Sequence, residues 1–89
     1  MIYKVNKLFS DESWNDYLYW QKTDKKVIKR INELIKDISR TPFLGLGKPE
    51  ALKFNLSGYW SRRIDGEHRL IYKIENNCII ILSCRYHYE

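Results

Sequence analysis

The second half of the chain collects the side chains that metal-free cleavage of an RNA phosphodiester would need. Such cleavage requires a base for the ribose 2′-hydroxyl proton, an acid for the leaving 5′ oxygen and cations for the extra phosphate charge. Glu50 is a candidate base because it follows a Gly- and Pro-containing loop at the entrance to a predicted strand, with Lys53 three residues further on. The alternative interpretation of Glu50 is an ordinary surface carboxylate.

The two histidines, His68 and His87, lie in different settings. Period-2 alternation along the last predicted strand puts Ser83, Arg85 and His87 on one face. A histidine near a chain end is commonly inert, but His87 stands beside Arg85 and between two tyrosines. His68 follows Glu67 next to a turn and is interpreted as a residue at the start of a strand.

Arginines occupy two neighbouring predicted strands, at Arg62, Arg63 and Arg69. A hairpin would bring these like charges together, which is destabilising unless an anion lies between them. The pattern therefore favours a phosphate site, and a salt-bridge network to Glu67 or Glu50 is the alternative. Aromatic rings on which bases could stack are supplied by Tyr59, Trp60, Tyr86 and Tyr88.

Three other kinds of site do not fit the spacing. Gly45–Lys48 lacks the glycine spacing of a phosphate loop, and Pro49 stands where Ser or Thr is needed. The spacing of His, Cys and carboxylates suits neither a zinc site nor a two-metal nuclease. Cys78 and Cys84 on one strand would lie ~20 Å apart, too far for a disulfide. We expect no metal and no other cofactor.

Length and charge limit the class of protein. The 89 residues predict one domain spanning residues 1–89, with 44% hydrophobic and 30% charged residues. A net charge of +5 is typical of proteins that bind nucleic acid or an acidic protein, although it also suits a merely solvated surface. The longest apolar run, Cys78–Leu82, is far too short to span a membrane, and no signal peptide is evident. We expect a soluble, cytoplasmic protein.

The first half must supply the helices. Ser10 followed by two acidic residues predicts a helix over Glu12–Gln21, and Thr23 with Asp24 begins a second helix that Pro42 closes. The second helix carries one continuous apolar stripe, made of Val27, Ile28, Ile31, Leu34, Ile35 and Ile38.

The remaining segments predict strands. Turn residues at Ser57–Gly58, Asp65–Gly66 and Asn76–Asn77 separate stretches rich in aromatic and β-branched residues. The order of strand, two helices and antiparallel meander makes an α+β fold with the helices on one face of the sheet. The predicted strands are Tyr3–Phe9, Ala51–Asn55, Tyr59–Ile64, Arg69–Ile74 and Ile79–Tyr86.

Seven sequence segments together carry a specific pattern. They are Glu12–Gln21, Lys29–Asp37, Arg40–Phe43, Gly47–Lys53, Leu56–Ile64, Glu67–Tyr72 and Cys84–Tyr88. This pattern resembles the YoeB/Txe toxins, a branch of the RelE-type toxins of type II toxin–antitoxin systems, and covers nearly the whole chain from Leu8 onward. The family characteristically ends near the His-Tyr pair, so Glu89 is a departure, from which we expect a small effect.

The resemblance implies a metal-free mRNA interferase that cuts translated message in the ribosomal A site, in a RelE-like fold. It implies Glu50 as general base, His87 as general acid and Arg69 as the transition-state arginine. Lys53 and Arg63 would bind phosphate, and Tyr88 would position the base or ribose. The implied partners are an acidic YefM-type antitoxin, the ribosome with its mRNA, operator DNA bound only with the antitoxin, and a second copy of the toxin.

Two other functions compete with catalysis. One is a degenerate, catalytically silent toxin that acts as a corepressor with its antitoxin, which would be expected to have lost members of the implied set. The other is a basic domain that binds RNA by affinity alone, in which removal of the Glu50 carboxylate would leave activity intact.

Overall fold

A computed structural model describes residues 5–86 of the chain, so Tyr3 and Lys4 of the predicted first strand lie outside the described residues. Two helices and five strands follow one another, with a 3₁₀ turn after the second strand. In chain order they are β1 (Asn6–Phe9), α1 (Asp11–Thr23), α2 (Lys25–Arg40), β2 (Glu50–Ala51), the 3₁₀ turn (Phe54–Leu56), β3 (Trp60–Arg63), β4 (Arg69–Glu75) and β5 (Cys78–Ser83).

The five strands form one sheet in the order β1-β5-β4-β3-β2. Strands β2 to β5 are an antiparallel meander, as predicted, and β1 pairs in parallel with β5. The parallel pairing requires a crossover, which the two helices supply. The α+β fold class is therefore confirmed, in the form of a mixed sheet.

The helices begin at the predicted capping residues. The Ser10 side chain accepts from the Ser13 N–H, and Asp24 accepts from the N–H groups of Lys26 and Val27. The apolar stripe of α2 packs against Leu70, Tyr72 and other core residues of the sheet. Neither helix of residues 5–86 is long and apolar enough to cross a bilayer.

The buried face of α1 is partly polar. Trp14 and Leu18 are exposed, whereas Ser13 and Trp20 are buried. The Ser13 hydroxyl donates to the Ile81 carbonyl at 2.7 Å, and the Trp20 indole N–H donates to the Cys84 carbonyl at 2.9 Å. Polar contacts to the end of β5 therefore orient α1.

Two predicted strands are too long. The strand predicted over Ala51–Asn55 is reduced to β2, because Phe54 adopts a left-handed φ of 57° and begins the 3₁₀ turn. The strand predicted over Ile79–Tyr86 ends at Ser83, and Tyr86 has a φ of 62°. A residue with left-handed φ cannot continue a strand, so the alternation that grouped Ser83 with Arg85 does not hold. His87, the third member of that group, lies outside the described residues.

Candidate functional site

Three of the predicted functional residues line one cleft at the β2–β3–β4 side of the sheet. Glu50 lies opposite Ser61, and Arg63 lies opposite Arg69. Because Ser61 and Arg63 are two residues apart on one strand, all four side chains share a sheet face. They line a cleft of about 320 Å³ together with Lys48 and Pro49. The sheet therefore places a carboxylate and three cationic side chains around a space that an anion could enter.

The loop before β2 is fixed against β3 by Gly47. The Arg63 N–H donates to the Gly47 carbonyl at 2.7 Å, and the Arg63 carbonyl accepts from the Arg30 guanidinium at 3.3 Å. Gly47 has a φ of 80°, and a Cβ there would stand 3.0 Å from the Arg63 carbonyl oxygen and 3.0 Å from Leu34 Cδ2. The close approach that brings Lys48 and Glu50 to the cleft therefore requires glycine.

Arg62 does not belong to the phosphate site in which the sequence placed it. Its side chain is fully buried on the helix face of the sheet, where Nη1 contacts the Asp37 carboxylate at 2.6 Å. The guanidinium also donates to the carbonyls of Thr41, Leu44 and Leu46 in the loop after α2. The prediction for Arg62 was wrong because successive side chains of a strand point to opposite faces.

The Asp37 carboxylate is held ionised at this junction. The Leu46 N–H donates to Asp37 Oδ2 at 2.9 Å. This hydrogen bond, followed by the Arg62 contact, lowers the pKa of Asp37 below its usual value. Asp37 and Arg62 therefore bind the loop to both α2 and β3.

The turn between β3 and β4 orients Arg69. Asp65 Oδ1 accepts from the N–H groups of Glu67 and His68 at 2.8 and 2.7 Å. Burial opposes ionisation of Asp65, but these N–H groups prevail and lower its pKa. Arg69 Nη1 donates to the carbonyls of Asp65 and His68 at 2.9 and 3.1 Å. These two hydrogen bonds fix the orientation of the Arg69 guanidinium in the absence of a ligand.

His68 and Arg69 also hold the segment that leads to the C-terminus. The Tyr86 N–H donates to His68 Nδ1 at 2.7 Å, and the Arg69 N–H donates to the Tyr86 carbonyl at 2.8 Å. His68 is buried and packs edge-on against Trp20, with 4.8 Å between ring centroids. Tyr86 is thus bonded on both sides of its Cα to the start of β4.

Helix α1 fixes the two residues before Tyr86. The Cys84 N–H donates to Asp16 Oδ2 at 3.0 Å. Burial raises the pKa of Asp16, and the neighbouring Glu12 adds to the rise, while the Cys84 N–H opposes it. The Arg85 guanidinium lies 3.6 Å from the ring centroid of Tyr19 and 4.8 Å from that of Tyr86. Cation–π contacts therefore occupy Arg85.

The remaining predicted residues lie in three different settings. Lys53 is exposed and lines a second cleft that also includes Glu50. His87 and Tyr88, predicted as catalytic, lie outside the described residues. Trp60 is half-buried against Phe43, with 4.8 Å between ring centroids, and Lys73 lies 5.1 Å from the ring centroid of Tyr59.

Sequence reasoning missed the residues that support the cleft. His68 directly precedes β4, which confirms the predicted position at the start of a strand, but the sequence does not indicate its hydrogen bond to Tyr86. The sequence predicts no functional role for Asp37 or for Asp16. Asp37 lies next to Ile38 of the apolar stripe, but only the structure shows that it is buried and therefore requires partners. The sequence carried no comparable signal for His68.

Comparison with known proteins identifies the family. A family model described as "YoeB-like toxin of bacterial type II toxin-antitoxin system" matches residues 9–88. The chain is 64% identical to Toxin YoeB of Escherichia coli (strain K12) over 81 residues, which are 91% of this chain and 96% of that protein.

Two solved structures from Staphylococcus aureus share the fold. The chain is 52% identical to a chain of the YoeB–YefM complex, with a TM-score of 0.89, covering 97% of this chain and 100% of that one. It is 53% identical to the YoeB dimer, with a TM-score of 0.90 and the same two coverages. The chain therefore belongs to the YoeB-like toxins of bacterial type II toxin–antitoxin systems.

Proposed function

We propose that this toxin is a ribonuclease, and specifically an mRNA interferase that cleaves translated message in the ribosomal A site without a metal ion. The observation that carries this proposal is the cleft in which Glu50, Arg63 and Arg69 come together. The Arg69 backbone that borders the cleft also bonds Tyr86, the residue before His87. A candidate base and candidate cations thus line a cleft whose Arg69 is bonded to Tyr86, and Tyr86 directly precedes the candidate acid in the sequence.

In the proposed reaction, Glu50 takes the proton of the ribose 2′-hydroxyl, and the 2′ oxygen attacks the adjacent phosphorus. The bond from phosphorus to the 5′ oxygen breaks, and His87 gives that oxygen its proton. The products are a 2′,3′-cyclic phosphate and a 5′-hydroxyl. Arg69 stabilises the charge that develops on the phosphate, while Arg63 and Lys53 bind phosphate oxygens. Tyr88 positions the base or ribose.

The cation chemistry of the cleft supports this assignment. Arg69 has its guanidinium directed by two carbonyls, so little reorganisation is needed when the transition state forms. Arg63 has its backbone fixed on both sides while its side chain remains exposed. Preorganised donors of this kind are typical of sites that stabilise charge rather than merely attract an anion.

We propose the partners by analogy with the relatives. An acidic antitoxin of the YefM type would bind this toxin, as the S. aureus relative is found in a YoeB–YefM complex. The toxin would also form a homodimer, as in the S. aureus dimer structure. Operator DNA would be bound only together with the antitoxin, and the toxin would act in the cytoplasm on the ribosome.

The test uses full-length protein with metal chelated, on mRNA held in programmed ribosomes and on the same mRNA free in solution. Cut positions are mapped by primer extension for the wild type and for Glu50→Gln, Arg69→Ala and His87→Ala. Glu33→Gln is the matched control, because Glu33 is an exposed carboxylate on α2. Co-sedimentation with ribosomes measures binding separately from cleavage.

We expect A-site cleavage by the wild type and by Glu33→Gln, with large losses in the three other variants and ribosome binding retained by Glu50→Gln. Absence of cleavage by the wild type, with binding intact, would replace the proposal with a silent corepressor or an RNA-binding protein. Unchanged cleavage by Glu50→Gln would remove the general base from the mechanism.

A further inference from the structure

Phe54 is an aromatic side chain placed almost entirely in solvent. It is 91% exposed, the highest value among the large apolar side chains of residues 5–86. Its backbone has a φ of 57°, in the left-handed region that a bulky residue seldom adopts. Burial in the core of the toxin cannot explain the position of this ring. Residues held in sparsely populated backbone conformations are concentrated at functional sites.

A cleft of about 500 Å³ adjoins Phe54 and is lined by residues 50–56. This volume lies within the ~300–1,000 Å³ typical of ligand clefts. Its walls include the apolar side chains of Leu52 and Leu56, which are half-buried, together with the exposed Lys53. The cleft therefore offers an apolar surface next to a cation, which suits a ligand with both a flat ring and a negative charge.

The Phe54 cleft and the cleft of the proposed active site share one lining residue. Glu50 lines both spaces. The active-site cleft adds Lys48, Arg63 and Arg69, so three cations and one carboxylate surround it. A phosphate backbone that passes these cations would carry a neighbouring base towards Phe54.

We propose that Phe54 is the stacking platform for an unpaired RNA base next to the cut phosphodiester, an inference that rests on the proposed function. The base packs face-on against the Phe54 ring, and Lys53 contacts the adjoining phosphate. Stacking on an aromatic ring is tolerant of sequence, because every base presents a π-face. The platform therefore holds the strand in place and does not select a codon.

The test compares Phe54→Trp, which keeps an aromatic face, with Phe54→Leu, which keeps apolar bulk alone. Leu8→Ala is the control, since Leu8 is 54% exposed and lies on β1 at the opposite edge of the sheet. Cleavage of ribosome-bound mRNA is measured as kcat/KM, and thermal melting checks that each variant is folded. A second mRNA set carries an abasic residue on either side of the cut bond.

A binding assay independent of cleavage completes the test. Ribosomes hold an mRNA that is 2′-O-methylated at the cut site and carries 2-aminopurine at a flanking nucleotide. Stacking on Phe54 changes the fluorescence of this base when toxin is added. The affinity of each variant for the antitoxin is measured in parallel.

We expect roughly a tenfold loss of kcat/KM in Phe54→Leu, from the usual worth of base–aromatic stacking, and little loss in Phe54→Trp or Leu8→Ala. The difference between wild type and Phe54→Leu should disappear on one of the abasic mRNAs, and Phe54→Leu should lose the fluorescence change.

Equal cleavage and equal fluorescence for wild type and Phe54→Leu would overturn the stacking platform. The same equality with weakened antitoxin binding would assign Phe54 to the antitoxin interface instead, which also overturns it. A wild-type fluorescence change that depends on an aromatic at position 54, without cleavage of the unmodified mRNA, would uphold stacking while the proposed nuclease function fails.

Discussion

His68 Nδ1 accepts a hydrogen bond from the Tyr86 N–H at 2.7 Å, and this contact ties the start of β4 to the residue before His87. Because a backbone N–H donates to it, Nδ1 must carry the lone pair, and the proton of the neutral ring lies on Nε2. Trp20 packs edge-on against the imidazole and limits its rotation. His68 thus holds Tyr86, the residue before His87 in the sequence, against the start of β4.

The first prediction tests the acceptor at position 68. An aliphatic side chain at position 68 cannot accept the Tyr86 N–H hydrogen bond, whereas the side-chain oxygen of Asn can occupy a position close to that of Nδ1. We expect His68→Leu to lower the cleavage rate roughly 10- to 100-fold through misplacement of the C-terminal segment. The unpaired Tyr86 N–H should also lower the free energy of unfolding by about 1–3 kcal/mol.

His68→Asn is the matched variant and should recover most of the cleavage rate. Single-turnover cleavage on programmed ribosomes and urea unfolding measure the two effects. If His68→Leu cleaves as fast as His68→Asn, the hydrogen bond to Tyr86 has no part in placing His87.

The second prediction concerns the buried ion pair of Arg62 and Asp37. Asp37→Ala leaves the fully buried guanidinium without its carboxylate, so we expect the free energy of unfolding to fall by about 3–5 kcal/mol. Arg40→Ala is the control, because Arg40 contacts the same carboxylate at 3.4 Å from a 71% exposed side chain. An exposed pair contributes only about 0–1 kcal/mol. Similar losses in both variants, measured by urea unfolding, would contradict the assignment.

The third prediction is the effect of acid on the same pair. The pKa of Asp37 is lowered in the folded state by the Leu46 N–H and by Arg62. Its stabilising contribution is therefore complete above the unfolded-state pKa of about 3.9 and is lost as the pH falls through the lower folded-state value. Urea unfolding should be measured from about pH 2.5 to about pH 7, a range that spans the ordinary Asp pKa of about 3.9. The free energy of unfolding should fall less with acid for Asp37→Asn than for the wild type. Parallel curves would show that Asp37 is not held ionised.

The fourth prediction separates steric contact from backbone strain at two glycines. Gly47 and Gly58 have φ values of 80° and 95°, but a Cβ at Gly58 would meet no atom within 4 Å. Gly58→Ala should therefore cost about 1–2 kcal/mol of unfolding free energy, from the left-handed backbone alone. Gly47→Ala should cost more and should slow cleavage, because its Cβ would press against the Arg63 carbonyl and displace the loop that carries Glu50. Equal losses of unfolding free energy in Gly47→Ala and Gly58→Ala would show that the loop accommodates the Gly47 Cβ without a steric penalty.

The fifth prediction concerns the two thiols. Burial raises the pKa of Cys84 to about 12, and the nearby Asp16 carboxylate adds to the rise, so the reactive thiolate is scarce at neutral pH. Cys78 is half-buried. Iodoacetamide at pH 8 should label Cys78 in the folded protein and Cys84 only after unfolding, as read by peptide mass spectrometry. Rapid labelling of Cys84 in native protein would contradict its buried placement.

Local patterns determined the elements of this protein. The apolar stripe from Val27 to Ile38 fixed α2, since residues spaced three and four apart share one helix face. Ser10 and Asp24 fixed the helix starts, because their side chains satisfy N–H groups that the helix leaves free. Turn residues at Asp65–Gly66 and Asn76–Asn77 separated the strands of the meander, and the pairing of Arg63 with Arg69 followed from the first of these turns.

Tertiary contacts decided what the sequence could not. Arg62 and Arg63 are identical in type and adjacent in sequence, yet one is buried against Asp37 and the other lines the cleft, because strand register assigns them to opposite faces. The strand predicted over Ile79–Tyr86 ends at Ser83, and beyond it Asp16 and Trp20 of α1 supply the partners of Cys84. Asp16 and Trp20 are separated from Cys84 by 68 and 64 residues along the chain. Local periodicity cannot predict contacts between residues so far apart in the sequence.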